Sequence, residues 1–168
     1  MVSRVYLVGF MGSGKTTVGR LVAELMNWPF LDLDAEIERG EGRSIARIFS
    51  QFGEVHFREL EQMYLRSISG PEHLVVGLGG GTYEAAANRE FIESNGMSVY
   101  LATSLEDVCR RIAADGSRPL FSNTEQVAEL YQRRLTSYNM ARERIETNNV
   151  DPPMIAERIV RLMTSVTS

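Results

Sequence analysis

Short apolar runs alternate along this chain with longer stretches of helical periodicity. Val5-Tyr6-Leu7-Val8 is rich in β-formers and leads into a Gly-rich turn. From Lys15 to Met26, Val18, Leu21, Val22 and Leu25 fall on one helix face, and Asn27-Trp28-Pro29 stops the helix. Phe30-Leu31-Asp32-Leu33-Asp34 reads as a second strand. Residues 35–69 read as helical, with Gly40, Gly42 and Gly53 as breaks. Leu74-Val75-Val76-Gly77-Leu78 is a third apolar run, closed by Gly79-Gly80-Gly81. A helix over 83–94, a strand at Ser98-Val99-Tyr100-Leu101 and a helix over 104–114 follow. After a loop through Asp115-Gly116-Ser117-Arg118-Pro119, the pattern predicts a long helix over 124–142 and a weak strand at Ile145-Glu146-Thr147. A last helix starts at Pro152-Pro153, where proline suits the first turn, and runs to about residue 164.

Strands that alternate with helices in this way predict an α/β protein with a parallel sheet covered on both faces. No repeat, low-complexity segment or linker interrupts the 168 residues, so a single domain over 1–168 is expected. With 43% apolar and 24% charged residues the composition is that of a globular protein. A net charge of −4 argues against nucleic-acid coating or a membrane-surface role, while leaving room for a local basic pocket. Cys109 is the single cysteine and sits in a helical apolar pattern, so it reads as a packed residue and no internal disulfide can form. The N-terminal apolar run ends at Met11 with no cleavage site after it, so neither a signal peptide nor a membrane span is expected, and the setting is expected to be cytoplasmic.

One feature of the composition bears on chemistry. Seventeen of the 18 basic residues are arginine, and the only lysine is Lys15. It stands inside Gly9-Phe10-Met11-Gly12-Ser13-Gly14-Lys15-Thr16, which fits G-x-x-x-x-G-K-[ST] at every fixed position. Glycines let the backbone turn tightly and bring N–H groups up to phosphate oxygens. The helix that begins there adds a dipole favouring an anion. A lysine at this position reaches the β- and γ-phosphates, and the threonine hydroxyl can ligate Mg²⁺. The strand before and the helix after complete the context of a nucleoside triphosphate site.

Other residues gain meaning beside that loop. Asp32 and Asp34 are two apart at the end of a strand, so both carboxylates are expected on one side, with Leu31 and Leu33 on the other. Strand ends of an open α/β sheet border the ligand crevice, which suits one carboxylate to a metal shell and the other to proton acceptance. Solvated cap residues are the plainer alternative, with Asp34 as the helix cap. Arg58 and Glu61 are i,i+3 neighbours and read by default as a surface ion pair. Three consecutive glycines at 79–81 permit close approach of a ligand to the backbone, or form a plain loop. Arg118, in a loop between two helices, could close over a transferring phosphate. Arg134 and Tyr138, four apart on one helix, read by themselves as surface or packing residues. His56 and His73 have no ligand spacing and read as structural or surface residues.

In this order, Gly9 to Thr16, Asp32-x-Asp34, Phe57-Arg58 with Glu61, Gly79-Gly80-Gly81, Arg118-Pro119-Leu120 and Arg134-x-x-x-Tyr138 resemble the motifs of shikimate kinases over nearly the whole chain. The phosphate loop is widespread, and the other five together are much more specific. The resemblance implies phosphorylation of the 3-hydroxyl of shikimate by ATP, on the route to chorismate and aromatic amino acids. It implies a three-layer α/β/α P-loop kinase fold with a five-stranded parallel sheet, an acceptor-binding segment near 33–61 and a mobile lid near 112–124. Gly12, Ser13, Gly14, Lys15, Thr16 and Thr17 would hold the ATP phosphates. Thr16 and Asp32 would hold Mg²⁺, the latter through water. Asp34 would bind the acceptor hydroxyls and act as base, and Lys15 and Arg118 would serve the transfer. Arg58 and Arg134 would clamp the shikimate carboxylate, with Glu61 orienting Arg58 and the glycines, chiefly Gly80, touching the acceptor. Arg111 would stack on adenine, and Pro152 would meet its other face. Paired arginines suit a carboxylate because guanidinium binds it bidentately.

Two positions depart from the pattern of the family. Leu33 stands where many members have Thr, and Gly77 stands where a Ser linked to the Mg²⁺ shell is often found. A gluconate or nucleotide kinase of the same fold is the nearest alternative. The Arg58 and Arg134 pair favours a carboxylate acceptor over a nucleotide. A GTPase would need Asn-Lys-x-Asp, which a chain whose only lysine is Lys15 cannot contain. A degenerate ATP-binding module is disfavoured by intact Lys15, Thr16, Asp32, Asp34 and Arg118. No surface feature demands a partner, so a monomer acting on small molecules is expected.

Overall fold

The structure, a computed structural model, describes residues 3–68, 72–115 and 124–165. Five strands form one sheet: β1 (Arg4–Val8), β2 (Phe30–Asp32), β3 (Leu74–Gly77), β4 (Met97–Ala102) and β5 (Glu143–Glu146). Their order across the sheet is β2-β3-β1-β4-β5, and all four pairings are parallel. The helices are α1 (Lys15–Met26), α2 (Leu33–Glu41), α3 (Ile45–Arg66), α4 (Ala86–Asn95), α5 (Leu105–Asp115), α6 (Thr124–Tyr138) and α7 (Pro152–Ser165). A short 3-10 turn, Thr82–Glu84, precedes α4.

The central strands are apolar at consecutive positions because helices cover both faces of the sheet. Alternation still sorts their side chains between two cores. Val5 and Leu7 of β1, Val75 of β3 and Met97, Val99 and Leu101 of β4 pack under α1 and α7. Tyr6, Val8, Val76 and Tyr100 point the other way, into a cluster with Leu33, Ile37, Leu60, Ile92, Val127 and Tyr138. Each such side chain removed from water contributes on the order of 1.5–3 kcal/mol. Helix α1 sits close on the sheet because Gly19 lies against Phe30 of β2 and Leu7 of β1, where a Cβ would overlap the Phe30 ring.

Several boundaries differ from expectation for physical reasons. The second strand stops at Asp32, and Leu33 opens α2, so Asp32 and Asp34 are not alternating strand positions. Asp32, not Asp34, is the N-cap: its Oδ1 accepts from the Ala35 amide at 3.2 Å. Gly40 does not break α2; it lies inside the helix, where the Tyr64 ring occupies the space of its missing side chain. Gly42 does end α2, at φ 64°, and Gly53 kinks α3, at φ 81°. Leu25 is more than half exposed, while Gly19 and Ala23 complete the buried face of α1. The helix expected over 124–142 ends at Tyr138, and β5 begins two residues earlier than Ile145. Cys109 packs against the core as expected, and His73 stacks on Trp28 at 4.7 Å.

Chain order turns back at β1, which lies between β3 and β4. An open parallel sheet has its crevice outside the carboxyl ends of its strands, at such a reversal. The loop after β1, the end of β2 and the glycines after β3 all come out there.

Candidate functional site

The segment Gly9–Gly14 wraps from β1 into α1, with Gly12 at φ 73° and Gly14 at φ 91°. Those left-handed conformations are the physical reason that both positions are glycine. Gly14 caps α1 without a side-chain bond, so the first amides of the helix, at Lys15, Thr16 and Thr17, have no intrahelical acceptors. Lys15 Nζ donates to the Gly9 and Phe10 carbonyls at 2.7 and 3.0 Å, which draws the ammonium back over its own loop. Ser13 is buried under the loop. Thr16 Oγ1 donates to Asp32 Oδ2 at 3.0 Å, so two hard oxygens stand side by side at the edge of the loop. Arg111, from α5, donates through Nη1 to the Gly12 carbonyl at 2.7 Å and lies across the loop from outside. A cavity of about 550 Å³ extends from Gly12, Lys15 and Thr16 past Asp32 and Gly77 to Asp34.

Asp34 also lines a second, smaller cavity of about 150 Å³, with Met11, Arg58, Glu61, the three glycines and Arg134. The residues of this cavity come from distant parts of the chain. Arg58 and Glu61 lie on α3 beyond the Gly53 kink, and Arg58 Nη1 donates to Glu61 Oε2 at 3.0 Å. Glu61 is 1% exposed, so the carboxylate end of this pair is buried and the pair is not the surface pair expected by default. Thr82 Oγ1 supplies the second bond to Glu61, at 2.6 Å. Burial pulls the Arg58 pKa down, but Glu61 and Glu54 more than offset it and the net direction is up. The guanidinium therefore stays charged in the pocket.

Arg134 and Tyr138 on α6 are not surface residues either: Arg134 is 7% exposed and Tyr138 is fully buried. Arg134 Nε donates to Glu84 Oε1 at 2.6 Å, and its guanidinium carbon lies 5.7 Å from the centre of the Phe10 ring. The Tyr138 hydroxyl donates to the Gly80 carbonyl at 2.5 Å. Burial raises the Tyr138 phenol pKa far above its ordinary value, so the hydroxyl remains a donor.

The three glycines acquire a sharper meaning here than a generally open backbone. A Cβ on Gly79 would fall 2.7 Å from Asp34 Oδ1 and 3.0 Å from Glu61 Oε1. One on Gly80 would fall 2.9 Å from Arg134 Nη1, and one on Gly81 would overlap the Arg58 guanidinium. Each glycine leaves room for different charged side chains, and together they let two cations and two carboxylates converge within one small pocket.

Pro152 opens α7 in an exposed position. Arg118 and most of the span 112–124 lie outside the described residues. Sequence reasoning did not single out Thr82, Glu84 or Phe10, which contact the pocket residues Glu61 and Arg134. Thr82 and Glu84 directly follow the glycines, and only the fold reveals that their side chains reach α3 and α6.

Comparison with known proteins bears on this geometry. A family model described as shikimate kinase matches residues 11–164. The shikimate kinase of Persephonella marina is 41% identical over 157 residues, 93% of this chain and 96% of the relative. That of Acinetobacter baumannii is 43% identical over 165 residues, 96% of this chain and 92% of the relative. Among solved structures, the shikimate kinase from Acinetobacter baumannii in complex with shikimate superposes with a TM-score of 0.92 at 41% identity, over 99% of this chain and 96% of that one. With this match along nearly its full length, the chain belongs to the shikimate kinase family.

Proposed function

We propose that this protein transfers the γ-phosphoryl group of ATP to the 3-hydroxyl of shikimate, giving shikimate 3-phosphate and ADP. The observation that carries this reading is the position of Asp34, whose carboxylate borders both cavities. One cavity has the backbone amides and ammonium that suit phosphates, and the other has the paired guanidinium groups that suit a carboxylate. A hydroxylated acid bound in the smaller cavity would present a hydroxyl to Asp34 and, across it, to the phosphate loop. The smaller cavity holds the volume of about five waters, which suits a small ring acid and not a nucleotide.

In this mechanism Arg58 and Arg134 grip the acceptor carboxylate and fix the ring, a positioning effect that lowers the entropy cost of reaction. Asp34 accepts the proton as the acceptor oxygen bonds to the γ-phosphorus. The bond from that phosphorus to the bridging oxygen breaks, and ADP leaves. Lys15 moves from its carbonyl partners onto the β- and γ-phosphates, and the amides of Gly12 to Thr17 hold the remaining oxygens. Arg118, which lies outside the described residues, would add charge at the transferring phosphate, and Arg111 and Pro152 would flank the base. Thr16 and Asp32 fit Mg²⁺, because a hydroxyl and a carboxylate 3.0 Å apart are the hard oxygen donors this ion takes beside phosphate and water. Bound there, the ion would neutralise charge on the phosphate oxygens. Gly77 adds no hydroxyl to that wall, so the protein's share of the metal shell rests on Thr16 and Asp32.

We take a monomer as the working unit. Among the described residues no helix is long and apolar enough to cross a membrane. We place the enzyme in the cytoplasm, where ATP and Mg²⁺ are available.

The test is ADP release from ATP and Mg²⁺ with shikimate, with gluconate, with AMP and with no acceptor. A large rate with shikimate alone is expected. Equal slow rates in all four would retain the phosphate site and remove shikimate as acceptor.

A further inference from the structure

The two clamp arginines are held differently. Arg58 is paired to Glu61, three residues along its own helix. Arg134 has no such neighbour; its carboxylate partner is Glu84, fifty residues away on the 3-10 turn after the glycines. We infer that Glu84 is a positioning residue that aims Arg134 at the acceptor carboxylate, and that the turn Thr82–Glu84 thereby fixes both arms of the clamp. This inference rests on the reading of Arg134 as an acceptor-binding residue.

The geometry that assigns this role is specific. A guanidinium has one N–H on Nε and two on each Nη, in a rigid planar fork. Glu84 Oε1 takes the Nε hydrogen at 2.6 Å. Nη1 lies over the backbone of Gly80, in the wall of the acceptor cavity. With Nε occupied, the fork presents its Nη end to a ligand. Phe10 lies against one face of the guanidinium and limits its rotation about the chain. Arg133 also approaches Glu84, at 3.4 Å, but it is largely exposed and contributes little.

Glu84 is itself held. Arg89 Nη1 donates to the backbone carbonyls of Tyr83 and Glu84, at 2.9 and 2.5 Å, and fixes the turn from below. The buried side chain of Asn88 donates to the Thr82 carbonyl at 3.0 Å. At the other end of the turn, Thr82 Oγ1 bonds to Glu61 and so reaches Arg58. A three-residue turn thus ties α3 to α6 through two carboxylates.

The consequence for binding is electrostatic as well as geometric. A carboxylate that neutralises Arg134 before the acceptor arrives lowers the gain in pure charge attraction. What remains is directional: an acceptor must offer a carboxylate in the plane of the fork. Glu84 therefore favours shape over charge in the choice of acceptor.

The experiment compares steady-state kinetics of Glu84→Gln, Glu84→Ala and Arg134→Ala with the double variant Glu84→Ala/Arg134→Ala, and uses Arg133→Ala as a control. Glu84→Ala should raise KM for shikimate about tenfold, the scale of one charge-assisted hydrogen bond. KM for ATP should stay within about twofold of the parent by the same principle that the loss is confined to one contact. Glu84→Gln keeps an acceptor oxygen for Nε and should recover part of the loss. In the Arg134→Ala background, loss of Glu84 should have no further effect on KM for shikimate, because its target is gone. Arg133→Ala should match the parent. Additive effects in the double variant, or equal rises in both KM values, would overturn the role of Glu84. An unchanged KM for shikimate in Arg134→Ala would instead overturn the clamp itself.

Discussion

The larger cavity is lined along the stretch Met11–Thr17 by main-chain amides, the Lys15 ammonium and the Thr16 hydroxyl, with Asp32 and Asp34 beyond it. The proposed acceptor pocket is lined by side chains from α2, α3 and α6 and by the glycines after β3, and both of its arginines are paired with carboxylates. Backbone geometry builds the first site, so its specificity is for phosphate in general. Convergent side chains build the second, and the difference in construction follows from the difference in ligand. A phosphate offers oxygens in every direction, which a ring of amides satisfies. A carboxylate on a small ring offers two oxygens in one plane, which demands a planar fork in a fixed orientation.

The largest expected effect falls at the group both sites share. Asp34→Asn should lower kcat by about 10²–10⁴-fold, the usual scale for a lost general base. Nucleotide affinity, measured by titration with ADP, should change little. Near-parental turnover would remove Asp34 as base and leave positioning alone to explain the transfer.

A second contrast separates the sites cleanly. Arg58→Ala should raise KM for shikimate about a hundredfold, since it removes one proposed partner of the acceptor carboxylate and leaves Glu61 buried without its cation. KM for ATP should be nearly unchanged. A comparable rise in both values would mean that the pocket and the loop act as one unit and not as two sites.

Legibility in the sequence followed the same division. The phosphate loop was legible because its chemistry is contiguous: turn, ammonium and hydroxyl occupy one string of letters, and the flanking strand and helix confirm it. The acceptor pocket was only partly legible, because spacing along a chain says nothing of contacts across a fold. Arg58 with Glu61 looked like an ordinary helix pair, since i,i+3 charges are common on surfaces and only tertiary packing shows Glu61 to be 1% exposed. Arg134 with Tyr138 looked like packing for the same reason. Family resemblance brought those residues forward, but it did not bring forward Glu84 or Thr82. The strand alternation assigned to Asp32 and Asp34 failed because a cap at Asp32 starts the helix one residue later, a local bond that period-two reasoning does not include. Sheet and helices were otherwise read correctly from apolar runs of strand length between longer periodic segments, with helix ends off by one to four residues.

A glycine substitution sharpens the comparison from the backbone side. Gly81→Ala should disturb the pocket and spare the loop, because its new methyl group would overlap the Arg58 guanidinium in a place where the turn leaves no room. Overpacking of this kind costs about 1–3 kcal/mol where neighbours must move. Arg58 is long and half-exposed, so the shift should appear mainly in KM for shikimate, by about tenfold at the lower end of that range, with a smaller loss of thermal stability. A large loss of stability with unchanged KM would indicate that Arg58 swings aside freely and that the turn, not the clamp, depends on the glycine.

The smallest effect tests the hydroxyl beneath the glycines. Tyr138 donates to the Gly80 carbonyl from a fully buried position, and burial holds its phenol neutral well above the ordinary Tyr range. Tyr83, another buried tyrosine, is pushed up to about 12. The folded state thus keeps these protons at a pH where the unfolded chain, with phenols near 10, releases them. Above pH 10 the folded state binds more protons than the unfolded state, so stability must fall as pH rises from 10 toward the raised folded values. Below pH 10 both states are protonated and the slope from these groups vanishes. Tyr138→Phe removes one such group. Its stability in denaturant should therefore fall less steeply than the parent's between pH 10 and 11.5, while at pH 7 it should be lower by about 1 kcal/mol for the lost hydrogen bond. KM for shikimate at pH 7 should rise no more than a few-fold, because the carbonyl, not the amide, of Gly80 loses its partner. Parallel pH profiles for parent and variant would show that Tyr138 reaches solvent in the working enzyme. The acceptor pocket would then be looser than its ion pairs require.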